Sequence, residues 1–473
     1  MPRGRPALPA ALCALACLLA GAAPARPSQT PGPLPATDGA DDWLAPYREI
    51  SRRLLRAAQA DEVGWYRLAE MTDTFGPRLS GSVGLENAIH WAADRMRADG
   101  LDVRLDPVMV PVWVRGSERA EIVRPWPQPL AMLGLGGSVA TPPQGLEAPV
   151  LVVRSFEDLD AVGATARGRI VVFNASFTSY NETVRYRTAG PSRAARHGAV
   201  AALVRSIGPR GHRTPHTGAT SYPPGVAPIP AAAISAEDAD QLQRLQDRRT
   251  PVVVRLTITA RTLPDAPSSN VIAEWRGRER PEEIVVVAGH IDSWDVGTGA
   301  VDNGAGCLAA WEALRLMKTL GLQPRRTVRL VLFTNEENGL RGAQAYRDKY
   351  LHELDDHVMM LESDIGVFPP LGFGFTGSPG ARARVAQIAQ LLREIGANRV
   401  ESVGGGPDIG PSAQVGAIPS LSLEADDTRY FPVHHTHADT VDKIAPDEIS
   451  RAAAAIAVMA YVVADMPMRL DEQ

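Results

Sequence analysis

Cysteine is scarce: three in 473 residues, two of which, Cys13 and Cys17, fall inside the first apolar run. Without that run Cys307 stands alone and no intramolecular disulfide can form. Robustness must then come from core size, bound metal or association. An excess of basic charge is also missing. With 49 Lys and Arg against 54 Asp and Glu the net charge is -5, which offers no field for a phosphate backbone and argues against a nucleic-acid partner. Aromatics are only 5%, yet 45% of residues are hydrophobic, enough at this length to fill a large core shared between two lobes. No internal repeat is found.

The N-terminal run does have a recognisable pattern. Arg3 and Arg5 precede an apolar stretch from Ala7 to Ala23, followed by Ala23-Pro24-Ala25; residues 1–25 read as a secretory signal peptide. Pro9 and the small-residue pattern favour cleavage over a membrane anchor. Leu15 stands one position from where a lipid-attachment signal at Cys17 would need it. Residues 26–42 are rich in Pro, Ser, Thr, Gly and Asp, as in a disordered leader or removable pro-segment. The expected location is secreted or periplasmic, with no stable membrane span after signal removal.

A helical pattern runs from Trp43 to about Met71, then a turn-rich loop, Phe75 to Ser82. Ser82 can cap a second helix, with Leu85, Ile89, Ala92 and Met96 on one face and Gly100 at its end. A strand, Val103 to Val110, follows. Between about 113 and 264 the texture changes to dense Pro and Gly, short strands such as 150–153, 170–173, 199–204 and 252–258, and brief helical signals at 191–197 and 236–245. The helix–strand rhythm resumes at Val271, so 113–264 reads as a β-rich insertion into a domain made of 43–112 and 265–473. In that domain we expect a strand at 284–288, helices at 304–320 and from about Glu337, and strands at 327–334, 358–363 and 419–423. Two further helices are expected, from Pro379 to Ile395 and from Pro446 to about Asp465. The predicted fold is α/β, a mainly parallel mixed sheet flanked by helices in three layers.

Five candidate metal ligands stand at or just after the carboxyl ends of predicted strands: His290, Asp302, Glu337, Asp364 and one histidine of the His434, His435, His437 cluster. That edge is where open α/β sheets keep their chemistry. Each has a plainer explanation alone. His290 could be a satisfied structural histidine, Asp302 a helix cap, and the pair Glu336-Glu337 a complement to a helix dipole. Together the two imidazoles and three carboxylates suit zinc, and a bridging carboxylate suits a pair of ions. Cys307, in a helix-forming stretch, reads as packed core and not as a nucleophile.

The segments HIDSWDVGTGAVDNGAG (290–306), FTNEENGLRGA (333–343), LESDIG (361–366) and HHTHADT (434–440) resemble those of the zinc-dependent exopeptidase family that includes bacterial leucyl aminopeptidases and glutamate carboxypeptidase. The resemblance covers nearly the whole chain after the signal. It implies two Zn2+ per chain, with Asp302 bridging them, His290 and Asp364 on one ion, and Glu337 with His435 on the other. His435 is preferred because it stands four residues before Asp439-Thr440. Glu336 matches the general base and Asp292 the acid that orients the first histidine. Asn303 departs from close relatives, which often carry an acid there. The resemblance also implies that 113–264 is a protease-associated-type domain, that the substrates are short peptides, especially dipeptides with a free N-terminus, and that the chain is a homodimer. Alternatives are an aminopeptidase on longer peptides, a catalytically inactive binding ectodomain, and a single-zinc aminoacyl cyclase on a related fold. Intact ligands argue against the inactive form.

Overall fold

In the interior of the larger sheet, the strand Arg280–His290 loses contact with water over Ile284 to His290, and Arg326–Phe333 is buried along its whole length. Unbroken apolar runs of this kind are stable only when both sheet faces are covered. The computed structural model describes residues 42–472; the predicted signal and the leader up to residue 41 lie outside them.

This sheet has eight strands, in the order 102–114, 261–275, 326–333, 280–290, 357–362, 420–425, 370–376, 399–401. The four central strands, from 326–333 to 420–425, are parallel, and antiparallel pairs flank them. Parallel neighbours share one carboxyl edge, so His290, Phe333 and Glu362 end side by side there. The helix Ala305–Thr319 covers one face and packs against the C-terminal helix Pro446–Asp465, both almost wholly buried.

A second eight-stranded sheet is built entirely from residues 118–258. Its strands Leu146–Val153, Ile170–Phe173, Ala201–Arg205 and Ala231–Ile234 run parallel. Helices accompany them, the longest being Ala236–Asp247, so this segment carries more helix than its Pro- and Gly-rich sequence indicates. The chain leaves and rejoins the first sheet along one long antiparallel ladder, in which Val114 pairs with Arg261. Both sheets belong to the compact unit that starts at Leu44.

Two expectations for helices shift. The first helical stretch is two helices, Ala45–Gln59 and Val63–Phe75, because Asp61 turns back to accept the Val63 N–H. The helix expected near Glu337 begins only at Arg341, since side chains claim the backbone N–H groups before it. Among the described residues no helix is long and apolar enough to cross a membrane.

Candidate metal centre

His290 ends its strand 1% exposed, with Nε2 2.9 Å from Asp364 and 3.3 Å from Asp302. Its Nδ1–H donates to the backbone carbonyl of Asp292 at 3.1 Å. The Asp292 carboxylate is 3.7 Å from that nitrogen, and its hydrogen bonds go elsewhere, to the N–H groups of Glu336 and Glu337 at 3.0 and 3.3 Å. Asp292 therefore orients His290 through its main chain and the Glu336-Glu337 turn through its side chain.

Asp302 sits in a tight turn, 300–304, ahead of the helix from Ala305. Asp439 fixes that turn by accepting the N–H of Val301 at 2.6 Å and of Asp302 at 3.1 Å. Arg78, wholly buried in the loop after the second helix, donates to the carbonyls of Ile291, Thr298 and Gly299 from the other side. Asn303 donates to the Ser363 carbonyl at 2.7 Å.

On the far side of Asp302, Oδ2 is 3.2 Å from His435 Nε2, and that nitrogen is 3.0 Å from Glu337. The five residues expected as ligands thus converge, with Asp302 between the two imidazoles. His434 joins them: its ring stacks on His435 with centroids 3.6 Å apart, and its Nε2 is 3.4 Å from Asp302. His437 is exposed.

Two groups, His290–Asp302–Asp364 and Asp302–His434–His435, each bring their donor atoms within 4.8 Å of one another. Asp302 Oδ2 and Glu337 Oε1 are buried without a hydrogen-bond partner among the described residues, a costly state for carboxylates that a cation would relieve. The mixed N and O donor set fits zinc.

The electrostatics reflect the crowding. Burial opposes charge on His290, yet Asp364, Asp292 and Asp302 hold its pKa well above the usual range. His435 is lifted to about 9 against burial, chiefly by Glu337 and Asp302. Burial, and then Asp302, raises Glu337 to about 7. Burial holds Glu336 well above the carboxylate range, against the pull of His290 and with the push of Asp364 and Glu337.

A cleft of about 430 Å³ opens over these groups, walled by Tyr430, Phe431 and His434 on one side and by Tyr180 and Arg187 of the 118–258 segment on another. Arg187 is 5% exposed and has no carboxylate partner among the described residues. It donates to the Thr217 carbonyl at 3.2 Å and to Tyr180 Oη at 2.7 Å, and its Nε is unsatisfied. His435 Nδ1 is 3.2 Å from the same carbonyl. Arg187 Nη1 is also 3.2 Å from Nδ1; a guanidinium only donates and a carbonyl only accepts, so when Nδ1 carries the proton, as it must where Nε2 is turned to a cation, it donates to the Thr217 carbonyl that Arg187 also uses. Cys307 is buried and donates to the His290 carbonyl at 3.0 Å; burial pushes its thiol up to about 12, which leaves it unreactive.

Known proteins resemble this chain in sequence and in fold. Residues 270–460 match the model of Peptidase family M28. Carboxypeptidase Q of Homo sapiens is 44% identical over 427 residues, covering 89% of this chain and 90% of that protein; the Bos taurus protein is 43% identical over the same shares. The crystal structure of a Peptidase M28 precursor from Shewanella amazonensis superposes with TM-score 0.87 at 36% identity, over 89% of this chain and 98% of that one. A zinc aminopeptidase from Bacillus subtilis shares the fold at TM-score 0.64 and 21% identity, over 86% and 96% of the two chains. The chain belongs to peptidase family M28 and is a zinc metallopeptidase. Within that family it is similar to carboxypeptidase Q over most of its length.

Proposed function

We propose that this chain is an exported di-zinc exopeptidase that hydrolyses short peptides, chiefly dipeptides with a free N-terminus. The observation that carries the reading is Asp302, a buried carboxylate flanked by His290 and His435 with one oxygen left without a hydrogen-bond partner among the described residues. His290 and Asp364 would hold one ion, Glu337 and His435 the other, with Asp302 common to both. Zinc held there supplies Lewis acidity, making water acidic enough to ionise near neutral pH and drawing electron density from a carbonyl oxygen.

The chain's own residues do the rest. Glu336 lines the cleft, and its backbone is pinned by Asp292; its carboxylate takes a proton from the attacking water and returns it to the leaving amine. Arg187, a buried cation without an acid partner among the described residues, suits a peptide's terminal carboxylate. Tyr180 and Arg187 of the inserted segment wall the cleft, which in this reading restricts it to short substrates. The 113–264 segment in the role of a protease-associated-type domain, a signal peptide at 1–25 and a homodimer complete this reading.

A dipeptide panel with free and blocked termini, assayed with and without a chelator and alongside zinc analysis, tests it. About two zincs per chain and chelator-sensitive cleavage of free dipeptides are expected. Rapid cleavage of internal bonds in long peptides would overturn the exopeptidase assignment, and a single zinc the paired centre.

A further inference from the structure

His216 has no place in the chemistry described above, yet it is buried to 2% exposure between the second sheet and the site. Its backbone is fixed: the N–H donates to Ser206 Oγ at 3.0 Å, and that hydroxyl donates to the Ile234 carbonyl at 2.9 Å. Its ring lies against Gly208, where a Cβ would come within 2.5 Å of Nε2. Nε2 is 3.0 Å from the carbonyl of Phe431. A carbonyl cannot donate, so Nε2 carries the proton.

The next residue extends the contact. Thr217 donates its N–H to the His435 carbonyl at 2.9 Å and accepts His435 Nδ1–H at 3.2 Å. Its hydroxyl donates to the Gly134 carbonyl at 2.7 Å and accepts from Arg115 at 3.2 Å, tying it to the second sheet. Two consecutive residues therefore grip the 431–435 turn at both ends. The grip matters because His435 has φ +59, a left-handed conformation that costs an L-residue on the order of 1–2 kcal/mol and persists only when its surroundings enforce it.

We propose that His216 is a positioning residue: its hydrogen bond to the Phe431 carbonyl, with the Thr217 pair beside it, holds the 431–435 turn so that His435 presents Nε2 to Asp302 and Glu337. The proposal rests on reading His435 as a zinc ligand. It makes the segment that carries the second sheet a working part of the metal centre as well as a wall of the cleft.

The test uses the full chain, stripped of metal and titrated with zinc against a fluorescent chelator, with melting measured with and without zinc. His216→Leu keeps bulk and removes the donor; zinc affinity should fall about tenfold or more, the range for partners behind a metal ligand. The zinc-dependent rise in Tm should shrink. His216→Gln, which returns an N–H at the ε position, should restore affinity to within a few-fold. A purely structural role would instead lower Tm equally with and without zinc and leave affinity unchanged, which overturns the proposal. If His216→Leu does not fold, Ser206→Ala loosens the same residue and should weaken zinc several-fold; unchanged affinity there also overturns it. His435→Ala separates the two readings. If it binds zinc as well as wild type, the ligand assignment fails; if it alone loses zinc, only the positioning role fails.

Discussion

The Asp292 carboxylate accepts the backbone N–H of Glu336 at 3.0 Å. Because the Asp292 main chain also accepts His290 Nδ1–H, one residue sets the direction of a ligand imidazole and of the proposed base. Glu336→Gln preserves this backbone arrangement while removing the proton acceptor. It should retain zinc and lower kcat by about 10²- to 10⁴-fold, the usual weight of a general base. Steady-state kinetics with metal analysis decide the matter, and near-normal turnover removes Glu336 from that role.

Asp302→Ala should empty the whole centre. The carboxylate faces both imidazoles, so its loss leaves neither group of donors complete. Zinc per chain after dialysis should fall toward none. A full complement would show that the two arms bind independently.

Arg187→Met should act on one class of substrate. For a dipeptide with a free carboxylate, KM should rise about 10- to 100-fold, from a lost charged hydrogen bond of about 1.5–3 kcal/mol. The amidated dipeptide, which lacks that charge, should change little in the same variant. Equal losses on both substrates would mean that Arg187 serves the Thr217 carbonyl and not the peptide.

His357 supplies a pH dependence remote from the metal centre. Its ring is 1% exposed, donates from Nδ1 to the Glu353 carbonyl and accepts at Nε2 from the Tyr346 hydroxyl, each at 2.8 Å. Burial lowers its pKa from 6.5 to about 4. The unfolded chain takes up this proton near pH 6.5 and the folded chain only near 4, so native stability falls as pH drops through that window. The stability difference between wild type and His357→Gln should shrink by up to about 3 kcal/mol from pH 7 to 4. Urea midpoints at several pH values read this directly; a constant difference would mean that the ring already titrates normally in the native state.

Legibility followed the range of the forces involved. Ile284 to Ala288 and the stripe from Pro446 to Asp465 form elements where local pattern places them, because a buried strand or helix must be apolar along its own length. Asp61 and Asn335, each redirecting a backbone N–H, carry no periodic signal, and they account for the break in the first helix and the late start of the one at Arg341. In the site, the convergence of His290, Asp302, Glu337 and Asp364 with the 434–437 histidines was legible because ligand chemistry restricts residue type at strand ends, whereas the choice of His435 among those histidines came only from the family resemblance. Asp439 looked like a register mark and holds the Asp302 turn. Arg187 and Thr217 meet His435 across more than 200 positions of chain, and nothing local to either segment announces that meeting. An Arg followed by no nearby acid was the one available hint.

The ladder that pairs Val114 with Arg261 has a consequence for how this protein could be taken apart. Its two strands emerge side by side, so a short hairpin could replace everything between them while leaving the larger sheet's hydrogen bonding intact. Such a minimised chain would keep His290, Asp302, Glu337, Asp364 and His435 but lose the carbonyl that steadies the last of them. It would offer a scaffold on which the contribution of the excised lobe to metal retention can be weighed separately from folding.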